Sequence, residues 1–273
     1  MFGRNKKTVN IVTLAPSSLL EGRKALITGG TGGIGKAIAG AFLNAGADVI
    51  ITSRSKEKAG ICAKELEMIA PPGRSVCGFE LDLSVPESFS GLLSDISAVP
   101  WTGKGVDILV NNAGTNVGES YFCNEGDYDT IVDTNLKGVY FLTRLIGEYM
   151  ISRSIEGNIL NITSSSAVRP AISPYMISKW GVRGLTLGLA KKYIQYGIVV
   201  NALAPGPTLT PMLKKSEKDN LNLPNNPSKR FVLPQEIANF AVILTSAMGR
   251  MIVGDTIYMT GGAGVITFDD VDY

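Results

Sequence analysis

From Lys24 onward, short apolar segments alternate with longer stretches in which apolar residues recur at helical spacing. The short segments are rich in β-branched residues and hardly alternate with polar ones, as expected of strands that are covered on both faces. They predict seven strands, at residues 25–28, 49–52, 75–81, 106–110, 158–162, 198–203 and 256–259. Between the first two, residues 34–44 predict a helix ending just before Gly46, since glycine is favoured immediately after a helix.

Strand and helix alternating at this spacing predict one α/β domain of Rossmann type. We expect a doubly wound, seven-stranded parallel sheet with helices on both faces, formed within residues 21–273, and an N-terminal arm at residues 1–20. The segment 214–230 is rich in Lys, Asn and Pro and is too long for an ordinary connection. We interpret residues 208–233 as a substrate-binding lid, with a disordered loop as the alternative.

The amino-acid composition limits the partners and the kinds of reaction that the protein can have. The 273 residues include 26 Lys and Arg against 24 Asp and Glu, and no histidine. A net charge of +2 without a run of like charges argues against nucleic acid or an anionic membrane as partner. Lack of histidine excludes Ser-His-Asp hydrolysis and His-ligated zinc, so we predict no metal site. Proton transfer must then use Tyr, Lys, Cys or a carboxylate.

Two further features bear on location. The three cysteines form no C-x-x-C spacing, which indicates free thiols in a reducing cytoplasm. The mildly apolar N-terminal stretch is broken by Asn10, Thr13 and Pro16, so we do not expect a secretory signal. No apolar run reaches 18 residues, and no membrane span is predicted.

The first predicted strand leads into the glycine-rich turn TGGTGGIG at residues 28–35, which opens a helix. Glycines let the backbone approach a pyrophosphate, whose charge then lies at the helix N-terminus. Gly30, Gly32 and Gly35 fit the spacing of a dinucleotide-binding turn. A P-loop is disfavoured because Ala37 stands where Ser or Thr would hold Mg²⁺. On this motif alone, a tight turn without a ligand remains possible.

The end of the second strand indicates which dinucleotide is bound. NAD-binding sites usually carry Asp or Glu there, but this strand ends Ser53-Arg54-Ser55-Lys56. Arg54, with Lys56 as a second cation, could pair with the 2′-phosphate of NADP(H). NADP(H) is therefore favoured, NAD(H) remains possible, and two ordinary solvated charges are the alternative interpretation.

A second group of residues could carry proton chemistry. Tyr175 and Lys179 are four positions apart in a predicted helix and therefore lie on one face, where the ammonium would lower the pKa of the phenol. Upstream, the hydroxyls of residues 163–166 close the fifth strand at the edge where open α/β sheets bind ligands. Each feature alone is also common on ordinary helices and loops.

Together these motifs resemble the short-chain dehydrogenase/reductase family in its single-domain form. The resemblance runs from about residue 21 to 262 and makes residues 21–273 a single catalytic domain. It adds an acid after the third strand, an N-N-A-G motif after the fourth, an asparagine in a following helix and a segment beside the nicotinamide. These are Asp82, residues 111–114, Asn135 and residues 201–210.

The resemblance implies roles for individual residues. Tyr175 would exchange a proton with the substrate oxygen, Lys179 would lower its pKa and bind the nicotinamide ribose, and Asn135 would support a relay water. Ser164 would orient the carbonyl, although its spacing to Tyr175 leaves Ser165 and Ser166 as alternatives. Cofactor contacts are expected from Gly29, Thr31, Gly33, Ile34, Gly35, Ser53, Arg54, Asp82, Leu83, Asn111, Ala113, Gly114, Tyr175, Lys179, Pro205, Gly206, Thr208 and Thr210.

The expected function is NAD(P)-dependent hydride transfer between a ketone and a secondary alcohol on a small molecule, in a homo-oligomer (tetramer or dimer). Carbonyl reduction with NADPH is favoured. A sugar or polyol dehydrogenase and a non-catalytic dinucleotide sensor are the alternatives. Cations in the lid suggest an acidic or phosphopantetheine-bearing substrate, against the simpler interpretation of a solvated loop. They are Lys214, Lys215, Lys218, Lys229 and Arg230, opposed by Glu217 and Asp219.

Overall fold

Seven parallel strands and seven α-helices alternate along the chain in the computed structural model, which describes residues 17–103, 105–117, 121–213 and 220–267. The strands are β1 (Lys24–Ile27), β2 (Asp48–Ser53), β3 (Val76–Glu80), β4 (Ile108–Asn111), β5 (Asn158–Ile162), β6 (Val199–Pro205) and β7 (Thr256–Met259). The helices are α1 (Gly33–Asn44), α2 (Lys56–Ile69), α3 (Phe89–Ala98), α4 (Glu125–Val132), α5 (Gly138–Ser152), α6 (Pro174–Tyr193) and α7 (Pro234–Thr245).

The strand order across the sheet is β3-β2-β1-β4-β5-β6-β7, and every neighbouring pair is parallel. This confirms the predicted Rossmann-type sheet, with strand ends that differ from the predicted ones by at most two residues. The order reverses between β1 and β4. In open α/β sheets such a reversal leaves a crevice beyond the carboxyl ends of the strands, where ligands bind.

Successive residues of the central strands are buried on opposite faces, which explains why the strands show no polar alternation. Ile27 and Val110 pack in a core with α1, α2 and α7. Leu26 and Leu109 pack in a second core, with α3, α5 and α6. The edge strand β3 is only half-buried.

The structure describes part of the predicted N-terminal arm and part of the predicted lid. Ser17 and Leu20 donate backbone hydrogen bonds to the end of α1, while residues 1–16 of the predicted arm lie outside the described residues. In the predicted lid, Asn222 and Arg230 form an antiparallel bridge. Its other charged positions, Lys214, Lys215, Glu217, Lys218 and Asp219, lie outside the described residues.

The described part of the chain contains no helix long and apolar enough to cross a membrane. It also contains no group of three or more His, Cys, Asp or Glu side chains placed to hold a metal ion. Cys62, Cys77 and Cys123 are free thiols, as expected from their spacing.

Two glycines in helices test how tightly the layers pack. A Cβ at buried Gly147 of α5 would lie 2.6 Å from the ring of Tyr193 on α6, so Gly147→Ala should lower the free energy of unfolding by about 1–3 kcal/mol. The matched Gly60→Ala in α2 meets nothing within 4 Å and should raise it by about 0.5–1 kcal/mol. Urea unfolding of both variants measures the difference; a loss in both would contradict this packing.

Candidate functional site

A cleft of about 710 Å³ opens at the carboxyl ends of the strands, beside the reversal between β1 and β4. Its wall brings together residues from the glycine-rich turn, from the ends of β2, β4, β5 and β6, and from the start of α6. The predicted residues that line it are Gly29, Thr31, Gly33, Ile34, Ser53, Arg54, Leu83, Ala113, Gly114, Ser164, Tyr175, Lys179, Pro205, Gly206, Thr208 and Thr210.

Four other predicted residues do not line the cleft. Gly35 lets the turn pack closely, because a Cβ there would collide with the Asn112 side chain and the Gly29 carbonyl. The Asp82 carboxylate accepts hydrogen bonds from the Ser84 backbone N–H and hydroxyl, at 2.9 and 2.7 Å. Asn111 donates to Thr143 and Asn161, each at 2.8 Å. The fourth, Asn135, is described below.

The glycine-rich turn exposes the N-terminus of α1 to the cleft. Gly32 precedes the helix without a side-chain cap, and the first turn carries no acidic residue. Asn112 fixes the turn by donating to the carbonyls of Thr28 and Gly29, at 3.0 and 3.1 Å. Uncapped N–H groups at a helix N-terminus favour an anion, so this end of the cleft fits a dinucleotide pyrophosphate.

Asn135 lies in one turn of π-helix, Asp133–Lys137, between α4 and α5. Its carboxamide accepts from the backbone N–H of Thr115 and donates to the carbonyl of Thr115, both at 2.8 Å. The same amide donates to the Ser178 hydroxyl at 3.3 Å, and that hydroxyl donates to the Tyr175 carbonyl at 2.7 Å. Asn135 therefore ties the loop after β4 to α6. The sequence did not indicate Thr115, Ser178 or the π-turn.

Tyr175 and Lys179 occupy one face of α6, as their spacing predicts. Ser173 caps the helix by accepting from the Met176 N–H. Lys179 is buried, and its Nζ donates to the Ile162 carbonyl at 3.0 Å and lies 5.6 Å from the centre of the half-buried Tyr175 ring. Burial lowers the pKa of Lys179 from 10.5 to about 8. An ammonium this close to the ring stabilises a Tyr175 phenolate.

The three candidate serines follow β5 and all line the cleft. Ser164 is in an extended conformation, and its hydroxyl accepts from the Ser166 N–H at 3.1 Å. Ser165 and Ser166 begin a short 3₁₀ helix, Ser165–Val168. The cleft wall thus presents a row of hydroxyls near Tyr175.

The cationic residues around the cleft have different surroundings. Arg54 is exposed and lines the cleft at the end of β2, whereas Lys56 begins α2 outside the wall. Arg230 forms a bidentate ion pair with Glu236, at 2.7 and 2.8 Å, and Lys229 donates to the Pro224 carbonyl. Neither Lys229 nor Arg230 lines the cleft. Both instead stabilise the described part of the predicted lid.

Several residues of the cleft wall were not predicted from the sequence. Most come from the segments between motifs, where spacing carries no signal, and no periodicity places them in the cleft. They include Thr115, Asn116, Thr134, Arg169, Met176, Met212 and Leu213.

The lowered pKa of Lys179 has a consequence for stability. Between pH 8 and about 10.5 the unfolded chain binds one more proton at this residue than the folded chain, so the folded state gains stability as the pH rises. Relative to Lys179→Met, the wild type should gain about 3 kcal/mol over this window and nothing below it. Denaturant unfolding of both proteins at pH 7, 9 and 10.5 measures this; parallel curves would contradict it.

Comparison with known proteins supports a common family. The sequence pattern of the family described as short chain dehydrogenase matches residues 23–221. The 3-oxoacyl-[acyl-carrier-protein] reductase of Thermotoga maritima is 35% identical over 248 residues, which cover 89% of this chain and 98% of that protein. Glucose 1-dehydrogenase 2 of Bacillus subtilis is 33% identical over 250 residues, with 89% and 95% covered.

Solved structures agree with these relatives. The 3-ketoacyl-(acyl-carrier-protein) reductase of Brucella melitensis in complex with NADH has a TM-score of 0.78 at 32% identity, covering 89% of this chain and 98% of that one. A provisionally assigned 2-deoxy-D-gluconate 3-dehydrogenase of Agrobacterium tumefaciens with bound NADP has a TM-score of 0.75 at 33% identity, with 89% and 96% covered. The chain belongs to the short-chain dehydrogenase/reductase family and is an NAD(P)-dependent oxidoreductase that interconverts alcohol and carbonyl groups.

Proposed function

We propose that the protein uses NADPH to reduce a ketone on a small molecule, with Tyr175 as the proton donor. One observation carries the proposal: the buried Lys179 ammonium lies 5.6 Å from the Tyr175 ring, in the same cleft as Ser164 and the uncapped end of α1. A protein that merely sensed a dinucleotide would have no need for a tyrosine beside a buried ammonium in the cleft.

The residues proposed to bind the cofactor form two groups, one at each end of the cleft. The N–H groups of the glycine-rich turn would hold the pyrophosphate, and Arg54 would pair with the 2′-phosphate. A carboxylate at the end of β2 would repel that phosphate, but Ser53 and Arg54 stand there. At the other end, Pro205, Gly206, Thr208 and Thr210 would lie beside the nicotinamide. When bound, NADPH supplies the hydride that the carbonyl carbon accepts.

The protein supplies the proton and the polarising groups. Ser164 Oγ would donate a hydrogen bond to the carbonyl oxygen, and Tyr175 Oη would transfer its proton to that oxygen as negative charge develops there. Lys179 would make the phenol more acidic and would also bind the nicotinamide ribose.

Asn135 would hold the relay water that returns a proton to Tyr175. A Cβ on Gly114 would lie 3.1 Å from Asn135 Oδ1 and 3.6 Å from Lys179 Nζ, so the backbone at this glycine packs close to both side chains. The identity of the substrate decides the direction of the reaction. It also decides between this function and the alternative of a sugar or polyol dehydrogenase. The homo-oligomeric state, the cytoplasmic location and the lid stay predictions from the sequence.

Removing the phenolic hydroxyl tests the proton donor. Tyr175→Phe should lower kcat by about 10²–10⁴-fold, since it deletes the general acid, while NADPH binding stays nearly unchanged. Consumption of NADPH with a panel of ketones measures turnover, and nucleotide fluorescence measures binding. Tyr196→Phe, which deletes the hydroxyl of an exposed tyrosine, is the control. Turnover retained in Tyr175→Phe would refute the assigned role.

Reversing the charge at the end of β2 tests the cofactor assignment. Arg54→Asp should weaken NADPH binding by about 10–100-fold or more, because it replaces a charged hydrogen bond to the 2′-phosphate by repulsion. The Kd for NADH should change little. Titration of both nucleotides against wild type, Arg54→Asp and the control Lys58→Asp on exposed α2 measures the ratio. Equal losses for NADPH and NADH would refute the assignment.

A further inference from the structure

The segment 163–169 carries the three candidate serines from the end of β5 toward α6. Its first residue is held by the neighbouring strand, because the backbone N–H and the hydroxyl of Thr163 both donate to the Leu203 carbonyl, at 2.8 and 3.0 Å. Its last residue is held by α6, because the Trp180 indole N–H donates to the Arg169 carbonyl at 2.8 Å. The serines lie between these two attachments.

Two side chains proposed to act on the substrate belong to different elements. Ser164 lies in this segment, whereas Tyr175 lies in the first turn of α6. In the proposed reaction both hydroxyls must reach the same carbonyl oxygen. Residues 170–172, which connect the segment to α6, are exposed, so the connecting chain packs less tightly than the segment itself. The relative position of the two hydroxyls therefore depends on contacts between the segment and the helix.

Trp180 makes one of these contacts from outside the cleft. It follows Lys179 in α6 but lies on a different face of the helix. Lys179 is buried and lines the cleft, whereas Trp180 is 41% exposed and does not line it. The Arg183 guanidinium lies 5.3 Å from the centre of the Trp180 ring and donates to the Ala167 carbonyl at 3.3 Å. Two side chains one helical turn apart thus hold the end of the segment against α6.

We propose that Trp180 is a positioning residue, whose indole N–H fixes the serine-bearing segment against α6 and so sets the distance between the Ser164 and Tyr175 hydroxyls. This rests on the proposed function, because it assumes that both hydroxyls bind the substrate oxygen. An indole N–H only donates, and its rigid ring turns about two bonds, so it holds an acceptor with little loss of conformational entropy. A misplacement of about 1 Å in an active site can lower the rate about 100-fold.

Deleting the indole donor tests the proposal. Trp180→Phe keeps an aromatic ring and should lower kcat about 10-fold, because the segment can then shift by a fraction of an ångström. The Kd for NADPH and the pH profile of kcat should not change, since Lys179 keeps its contact with the Ile162 carbonyl. Turnover is measured with the ketones used for Tyr175→Phe. Trp101→Phe, at the other tryptophan of the chain and outside the cleft wall, is the matched control and should keep the wild-type kcat.

A double-mutant cycle separates positioning from general support of the fold. Its second substitution is whichever of Ser164→Ala, Ser165→Ala and Ser166→Ala lowers kcat most. In that background Trp180→Phe should lower kcat by less than about twofold, because no hydroxyl is left to misplace, whereas independent effects would multiply. If Trp180→Phe does not fold, Trp180→Tyr, which also lacks the indole N–H, takes its place.

A wild-type kcat in Trp180→Phe, an equal loss in both backgrounds or a shifted pH profile would overturn the proposal and leave the reductase function intact. If no ketone is turned over, hydrogen exchange of the backbone N–H groups of residues 166–169 decides instead. Faster exchange in Trp180→Phe than in Trp101→Phe would support the proposal, and equal exchange would overturn it. Failure of the reductase function is detected separately, by turnover that survives Tyr175→Phe.

Discussion

The reversal of strand order between β1 and β4 is the constraint on which the site depends. Strands on either side of it carry their crossover helices to opposite faces of the sheet, so the loops that follow them separate and leave a cleft. The glycine-rich turn enters this cleft from β1. Ser164 enters it from β5, and α6 then brings Tyr175 and Lys179 to the same place. Among the described residues that line the cleft, only glycines have a positive φ, and Asn135 behind them lies in one turn of π-helix.

Polar side chains inside the core stiffen the region behind the cleft. Asn111 on β4 binds Asn161 on β5 and Thr143 on α5, and Asn161 in turn binds Thr186 on α6 at 2.9 Å. Buried amides are costly unless they are hydrogen-bonded, and a connected set of them permits few alternative arrangements. The network therefore fixes the spacing of two strands and two helices. This is a structural role for Asn111, beside the cofactor role that family resemblance suggested.

Features that depend on a local sequence pattern could be predicted from the sequence, whereas features that depend on tertiary contacts could not. The buried strands, the glycine-rich turn and the Tyr175–Lys179 pair each follow from spacing within a few residues, and the structure places them as expected. The π-turn around Asn135 and the location of Arg169 depend on contacts with distant segments, so no local sequence pattern predicts them. Arg230 shows the converse: its lid position suggested a substrate contact, but Glu236 six residues later binds it.

The link from Thr115 through Asn135 and Ser178 to the Tyr175 backbone joins the loop after β4 and helix α6 into one mechanical unit. The parts of the cleft wall therefore differ in how freely their residues can change during evolution. The side formed by this unit cannot shift without moving Tyr175. Met212 and Leu213 present half-exposed apolar side chains to the cleft, and they take no part in the hydrogen bonds of this link. Substitutions at these two positions can therefore fit the cleft to a new substrate shape without moving Tyr175.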